Sequence, residues 1–269
     1  MPQLLPEFEH PPVVEVALSV QFDRLDVATP QLALVWQRFR DRFGRVEDKP
    51  ELEAAFERFA PTEKRAQGVR FEIGSFPGMR FWFVNESGHE LVQVQRDRFV
   101  RNWRKTEEQP EYPRYGNLRA AFVTDWSYFE TFAKEELDVP LVPNQCEVTY
   151  VNIIEAKGPG RLCDVLSIVN DRYTEEYLNE PETAELQFHF ALKGNDEKPW
   201  GRLHVEAGPA IRMSDNRPVV RLSLTARGNP PSQDCDGMLA SLDSCHEAVV
   251  RGFSSITTPA MHKAWGRKL

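Results

Sequence analysis

The stretch ELVQVQRDRFVRNWRK, residues 90–105, decides the fold class of this chain. An apolar/polar alternation runs into a charged turn and then into a second strand studded with polar residues and Trp103. The two-residue period of a strand puts Val92 and Val94 on one face and Gln93 and Gln95 on the other. Amides and guanidiniums stand where a plain surface strand would show Lys, Glu and Thr. They mark a face suited to gripping something.

Working outward, Pro11-Pro12 forms a stiff extended lead-in. VVEVALSVQF (13–22) then alternates, with Val14, Val16, Leu18, Val20 and Phe22 on its apolar side. A helix is expected from Pro30 to Phe43, with Thr29 as cap and Leu32, Trp36, Phe39 and Phe43 as its stripe. Residues 51–59 read as a short helix with Leu52, Phe56 and Phe59 on one side, and with Glu57 and Arg58 as plain surface. Strands follow near 69–74, 79–85, 89–95 and 98–104, with turns at Pro77-Gly78 and Ser87-Gly88. Tyr115–Leu137 is a long amphipathic helix with Leu118, Phe122, Trp126, Phe129 and Phe132/Ala133 on its buried side.

The second half repeats the order. A strand (145–154), one or two helices (161–180), three strands (185–193, 201–212, 217–227) and a final helix (235–256) succeed one another. Leu239, Leu242, His246, Val249/Val250, Phe253 and Ile256 keep the helical period in the last of these. The expected fold is α+β: two similar lobes, 1–140 and 141–269, packed as one unit. Each reads strand–helix–three or four strands–helix, in antiparallel sheets with the helices on one face. A residue-level repeat is not visible, so duplication is a statement about topology. The opposite face would show Glu15, Gln21, Gln93, Gln95, Glu147, Thr149, Gln187, His189, His204, Glu206, Arg221 and Ser223. A broad polar sheet of this kind is similar to the TATA-box-binding and helix-grip classes, a likeness of shape that carries no function.

Composition bounds the function. In 269 residues, 33 basic against 41 acidic side chains leave a net charge of -8, which disfavours general nucleic-acid binding. Four cysteines (146, 163, 235, 245) show no metal-ligand spacing and read as thiols in a reducing compartment. No apolar run is long enough to span a membrane, and MPQLLPEFEHPP does not read as a signal peptide. The expectation is a cytoplasmic protein. Phosphate-loop, dinucleotide, nucleophile-elbow and zinc-helix motifs are missing, so no cofactor is implied.

Two constellations remain. Gln and Asn both donate and accept, so the amide-rich hairpin can read a peptide backbone or a base edge; the structural alternative is that Gln93 and Gln95 pair across strands and Asn102 satisfies backbone. Asp97, Glu107 and Glu108 are the expected ion-pair partners of Arg98, Arg101 and Arg104. His189, His204 and Glu206, on neighbouring strands, could bind zinc or do acid/base work on a nucleotide or nucleic acid, as a hydrolase would. His246 and His262 fit packed positions better than a site. In NQCEVTYVN (144–152), Tyr150 and Asn152 share the face of Val148 and Ile154, which requires Asn152 to bond backbone.

HPPVVEVALSVQF at the start, LVQVQRDRFVRNWRK, YPRY (112–115), NQCEVTYVN and HEAVVRGF…TTP…WG (246–266) together resemble a sporadically distributed prokaryotic family known from a provisional family model, with no assigned activity. The resemblance implies one full-length cytoplasmic unit and patchy inheritance of the kind seen in defence or toxin–antitoxin loci. The function expected is therefore binding: a regulatory or accessory protein engaging a protein partner or small ligand on its polar sheet face. Gln93, Gln95, Arg98, Asn102, Arg104 and Glu147 would be the contacts, with Trp103 as aromatic anchor. On this expectation, Gln95→Ala with Arg104→Ala removes partner binding and leaves stability nearly unchanged.

Overall fold

The computed structural model describes residues 4–59, 78–108, 111–155, 161–169, 177, 183–194 and 196–268. In chain order the elements are β1 (Glu7–Phe8), β2 (Val13–Phe22), α1 (Thr29–Ala33), β3 (Arg45–Pro50), β4 (Met79–Val84), β5 (Glu90–Gln95), β6 (Arg98–Arg104), α2 (Tyr115–Glu136) and β7 (Pro143–Ile154). They continue with β8 (Leu186–Lys193), β9 (Pro199–Arg212), β10 (Arg217–Gly228), α3 (Cys235–Ile256), α4 (Pro259–Ala264) and β11 (Arg267–Lys268).

Nine strands form one antiparallel sheet in the order β3-β4-β5-β6-β2-β7-β10-β9-β8, and β1 pairs with β11 in a separate two-stranded ribbon. The α+β expectation with an antiparallel sheet is met. The centre of the sheet is the β2–β7 pair, in register from Glu15↔Val151 to Gln21↔Gln145. Reading outward, β2 is followed by β6, β5, β4 and β3, and β7 by β10, β9 and β8.

The apolar face is built as the alternation requires. Val16, Leu18, Val20 and Phe22 of β2 are buried, but Val13 rather than Val14 joins them. The register slips between Val13 and Glu15, and the bulge turns Val13 inward. Phe99 packs on the α2 stripe, with Phe129 stacked on it at 5.3 Å and Trp126 edge-on at 5.7 Å, and Phe22 lies against Phe129 at 5.6 Å. The α2 stripe is thus the predicted one, with Asp125 added to it. In α3 the buried line is Met238, Leu242, Cys245, Val249 and Phe253, one residue off the predicted start at Leu239. Arg119 of α2 clamps Asp243 of α3 through two bonds of 2.7 and 3.1 Å, which ties the helices side by side.

Three expectations are corrected. The Pro30–Phe43 helix is only α1 followed by a 3-10 stretch, Leu34–Arg38, and a turn to Gly44. Phe39 and Phe43 still reach the core, and the Trp36 indole donates to the Phe43 carbonyl. RVEDKP (45–50) carries no apolar alternation yet forms β3, an edge strand whose charges and proline discourage further pairing. Residues 51–59 are not helical. Within the expected 161–180 helix, the described residues hold a single 3-10 turn, Leu162–Asp164. The rest of that helix and the strand at 69–74 lie outside the described residues. Gly88 takes φ 74° in the turn between β4 and β5, where glycine avoids a steric cost.

Among the described residues no helix is long and apolar enough to cross a membrane. Cys146 and Cys245 are buried, Cys163 is partly so and Cys235 is exposed; all four are free thiols.

Candidate functional site

Register places the polar side chains of both halves on one face. Gln95, Arg98, Gln21 and Gln145 form one row across β5, β6, β2 and β7. Gln93, Val100, Ser19, Glu147, Arg227 and Arg202 form the next, reaching β9. Thr149, Thr225, His204 and His189 make a third, and Ser223, Glu206 and Gln187 a fourth. The face read from the alternation is therefore continuous across the sheet.

Much of it is covered by the chain's own segment 51–59, which runs across the strands. Leu52 donates its N–H to Gln95 Oε1 and accepts from Gln95 Nε2, both at 3.0 Å. The Ala55 N–H donates to Gln21 Oε1 at 2.8 Å, and Arg98 Nη2 donates to the Glu53 carbonyl at 3.1 Å. Glu57, with its side chain 3% exposed, accepts from His204 Nε2 at 2.6 Å, from Arg227 at 3.3 Å and from Arg202.

This span explains the lost helix. From β5 to β9 the sheet covers five strand spacings, about 24 Å. The five residue steps from Leu52 to Glu57 reach about 17 Å extended but only about 7.5 Å as a helix. The long Glu57 and arginine side chains close the remainder. Burial alone would raise the Glu57 carboxyl, but the hydrogen bond from His204 and the charges of His204, Arg202 and Arg227 outweigh it and hold the group below its usual range.

The seven expected contact residues are therefore already engaged. Gln93 accepts from Arg80 at 3.0 Å and donates to Asn102 at 2.7 Å, and Asn102 donates to Glu15 at 2.7 Å. Arg104 reaches Glu15 at 3.4 Å and lies 4.9 Å over the Trp82 ring. Arg98 donates to Gln21 at 2.9 Å, and Glu147 accepts from Arg227 at 2.6 Å. Gln95 also donates to Asp97 at 2.5 Å. Trp103 belongs to the other face: it pairs with Val16, is 3% exposed and packs on Tyr112 at 5.6 Å. Its neighbours Asn102 and Arg104 point away from it because adjacent strand residues face opposite sides. The arginine partners also differ from those expected, since Arg101 pairs with Asp125 and Glu90.

Sequence reasoning missed Glu57, Arg202 and Arg227 as a cluster. Three buried atoms on this side, Arg80 Nε, Arg98 Nε and Trp82 Nε1, have no hydrogen-bond partner among the described residues. The His189 and His204 rings lie 4.6 Å apart, but His204 turns to Glu57 and Glu206 accepts from Gln187 at 3.3 Å. Among the described residues no group of three or more His, Cys, Asp or Glu side chains is arranged to hold a metal.

On the helix side of the sheet, a second polar group is set among apolar residues. Tyr112 and Tyr150 share a 2.7 Å hydroxyl contact, and the Tyr150 hydroxyl lies 3.0 Å from His246 Nδ1. Tyr115 stacks on the His246 ring at 3.8 Å and donates to Asp243. Asn152 donates to the Leu222 carbonyl at 3.2 Å, as its buried position required.

Burial lowers His246 to about 4, against the opposing pull of Asp243 and Glu247. Burial likewise raises Tyr112 to about 12 and Tyr150 well above its ordinary value. The unfolded chain protonates this histidine near pH 6.5, while the folded chain resists until about pH 4. The unfolded state thus binds more protons in that window, and stability falls as pH drops through it. We expect roughly 3 kcal/mol of loss from this residue between pH 6.5 and 4. Urea unfolding of the parent and of His246→Gln measures it; parallel pH profiles would show that the histidine is not the cause.

Neither a family model nor a curated protein matches the chain.

Proposed function

We propose that the chain is a non-enzymatic binding protein whose polar sheet face takes an extended acidic peptide segment of a partner. The observation that carries this reading is the 51–59 strap. Gln95 bonds both the N–H and the C=O of one strap residue, Gln21 and Arg98 bond two others, and Arg202, Arg227 and His204 surround a carboxylate. These are contacts that read backbone and one acidic side chain, whatever chain supplies them. A partner segment of like chemistry would compete with the strap for the same groups.

The resemblance stated above adds a regulatory or accessory role in a prokaryotic defence or toxin–antitoxin locus, in the cytoplasm, to the proposal. The shared strand order outward from β2 and from β7 supports reading the halves as two lobes on one plan.

A fluorescein-labelled peptide of strap sequence, ELEAAFERF, tests the proposal. It should bind saturably to a Glu57→Ala chain, at least tenfold tighter than to the parent, whose own strap competes. Placing glutamine at the peptide's Glu57 position, or Arg202→Ala in the protein, should remove most of that binding. Equal weak binding to parent and variant, with both folded by circular dichroism, refutes the proposal and makes the strap a fixed part of the fold.

A further inference from the structure

Under α3, on the face opposite the strap, lies a cavity of about 300 Å³. Its volume is that of about ten waters, at the small end of ligand pockets. Phe8, Val13, Val249 and Phe253 supply hydrocarbon walls, and Tyr112, Tyr150, Asn152 and His246 supply the polar ones. We propose that this cavity binds a small, uncharged, planar molecule that carries a carboxamide-like hydrogen-bonding head. The site is separate from the polar face and does not depend on the function proposed for that face.

Three observations carry the assignment. First, the polar groups are neutral yet incompletely used. With its Nδ2 committed to the Leu222 carbonyl, Asn152 leaves Oδ1 as an acceptor with no partner among the described residues. When the Tyr150 hydroxyl donates to His246 Nδ1, Nε2–H is left as a donor, and it too bonds nothing among the described residues. An amide head offers one donor and one acceptor, which match this pair.

Second, the charges at the lining, Glu7 and Arg114, are opposite in sign, and Arg114 is engaged by the Phe8 carbonyl at 3.1 Å. A ligand of either sign would meet one of these charges as a partner and the other as a repulsion, so its lost hydration is not offset by a net attraction.

Third, the rim is strained and one wall is fastened outside the large sheet. Arg114 takes φ 68° and ψ 152°, a conformation costly for a side chain with a Cβ. One wall, Leu5–Phe8, is fastened through the two-residue β1–β11 ribbon and through Glu9 and His10 N–H bonds to Gly266 and Trp265. The ribbon lies outside the large sheet, so its opening, with Phe8 leaving its ring contacts to Phe253 and Trp265, would provide an entry route without breaking that sheet.

Calorimetric titration of the full chain with benzamide, benzoate and benzylamine at pH 7 tests the proposal. Benzamide should bind saturably with a Kd of about 1 mM or tighter, and the two ions at least tenfold more weakly. Tyr150→Phe, which frees His246 Nδ1 from its partner, should weaken benzamide at least fivefold. Val250→Trp, which fills the cavity from α3, should abolish binding. Thermal unfolding reports whether each variant is folded, and His246 ring resonances that shift with benzamide in the parent supply a readout free of any substitution. Absence of saturable benzamide binding to the parent, equal binding of benzoate, or retained binding in folded Val250→Trp each overturns the assignment.

Discussion

Asp125→Ala is expected to destabilise the fold by about 3–5 kcal/mol, the cost of stripping a buried charge of its partner. Asp125 is 0% exposed within the apolar stripe of α2, and its carboxylate accepts from Arg101 Nε at 2.8 Å and from Arg42. Arg42 is half in water and loses little when the carboxylate goes. Arg101 is 3% exposed and projects from β6 into the core, where only Glu90, at 2.5 Å, would remain to it. Glu90, one-third exposed, then offsets only part of the lost solvation of Arg101. Replacing both charges, in Asp125→Leu with Arg101→Met, should recover most of the loss, because an apolar pair of similar volume needs no hydrogen bonds. Urea unfolding gives both numbers. A single-variant loss under about 1 kcal/mol would mean that water reaches Arg101.

Gln95→Ala should cost about 2–4 kcal/mol, although the residue lies on a strand face that reads from sequence as ligand-facing. The side chain is 0% exposed and makes three hydrogen bonds, two to Leu52 and one to Asp97. Each contributes about 0.5–1.5 kcal/mol, and Leu52's backbone groups lose their partner as well. The loss should be accompanied by faster amide exchange at Leu52 and Ala55, since the strap is anchored there. Arg104→Ala should change stability far less, because its pair with Glu15 is one-third exposed. An unchanged unfolding midpoint and unchanged exchange in Gln95→Ala would mean that the strap is not held by this amide. The sequence suggests that the Gln95/Arg104 double substitution leaves stability nearly intact; the hydrogen bonds of Gln95 lead us to expect a loss instead, arising from Gln95 and little from Arg104.

The two residues teach the same lesson about strand parity. Alternation along RFVRNWR puts Phe99, Arg101 and Trp103 on one side and Arg98, Val100, Asn102 and Arg104 on the other. Grouping Trp103 with Asn102, or Arg101 with Arg98 and Arg104, joins residues that the pleat separates. The period was legible, and applied strictly it moves Trp103 to the core. It could not reveal that Arg101, on the core side, would find a carboxylate on α2. Asp125 and Arg101 are 24 positions apart, and only the packing of helix on sheet brings them together.

The strap was illegible for a different reason. LEAAFERF has the composition and spacing of a short helix, and local propensity has no knowledge of the sheet beneath it. Amides on β2 and β5 and cations on β9 and β10 offer hydrogen bonds to an extended chain that outweigh the weak preference of a nine-residue helix. His246 was read as packed helix, and it is packed. Its contact with Tyr150, 96 residues away, had no local signal.

By itself, then, the sequence determined the strands that alternate, the two long helices and the division of the sheet into an apolar and a polar face, because side-chain period follows from local backbone geometry. It held no sign of β1, β3 or β11. What covers each face was decided only by the tertiary structure: the strap across the glutamines, the carboxylate under Arg101, and the cavity beside Tyr150 and His246. Those features rest on pairings between distant residues, whose energies exist only once the sheet has brought them into contact.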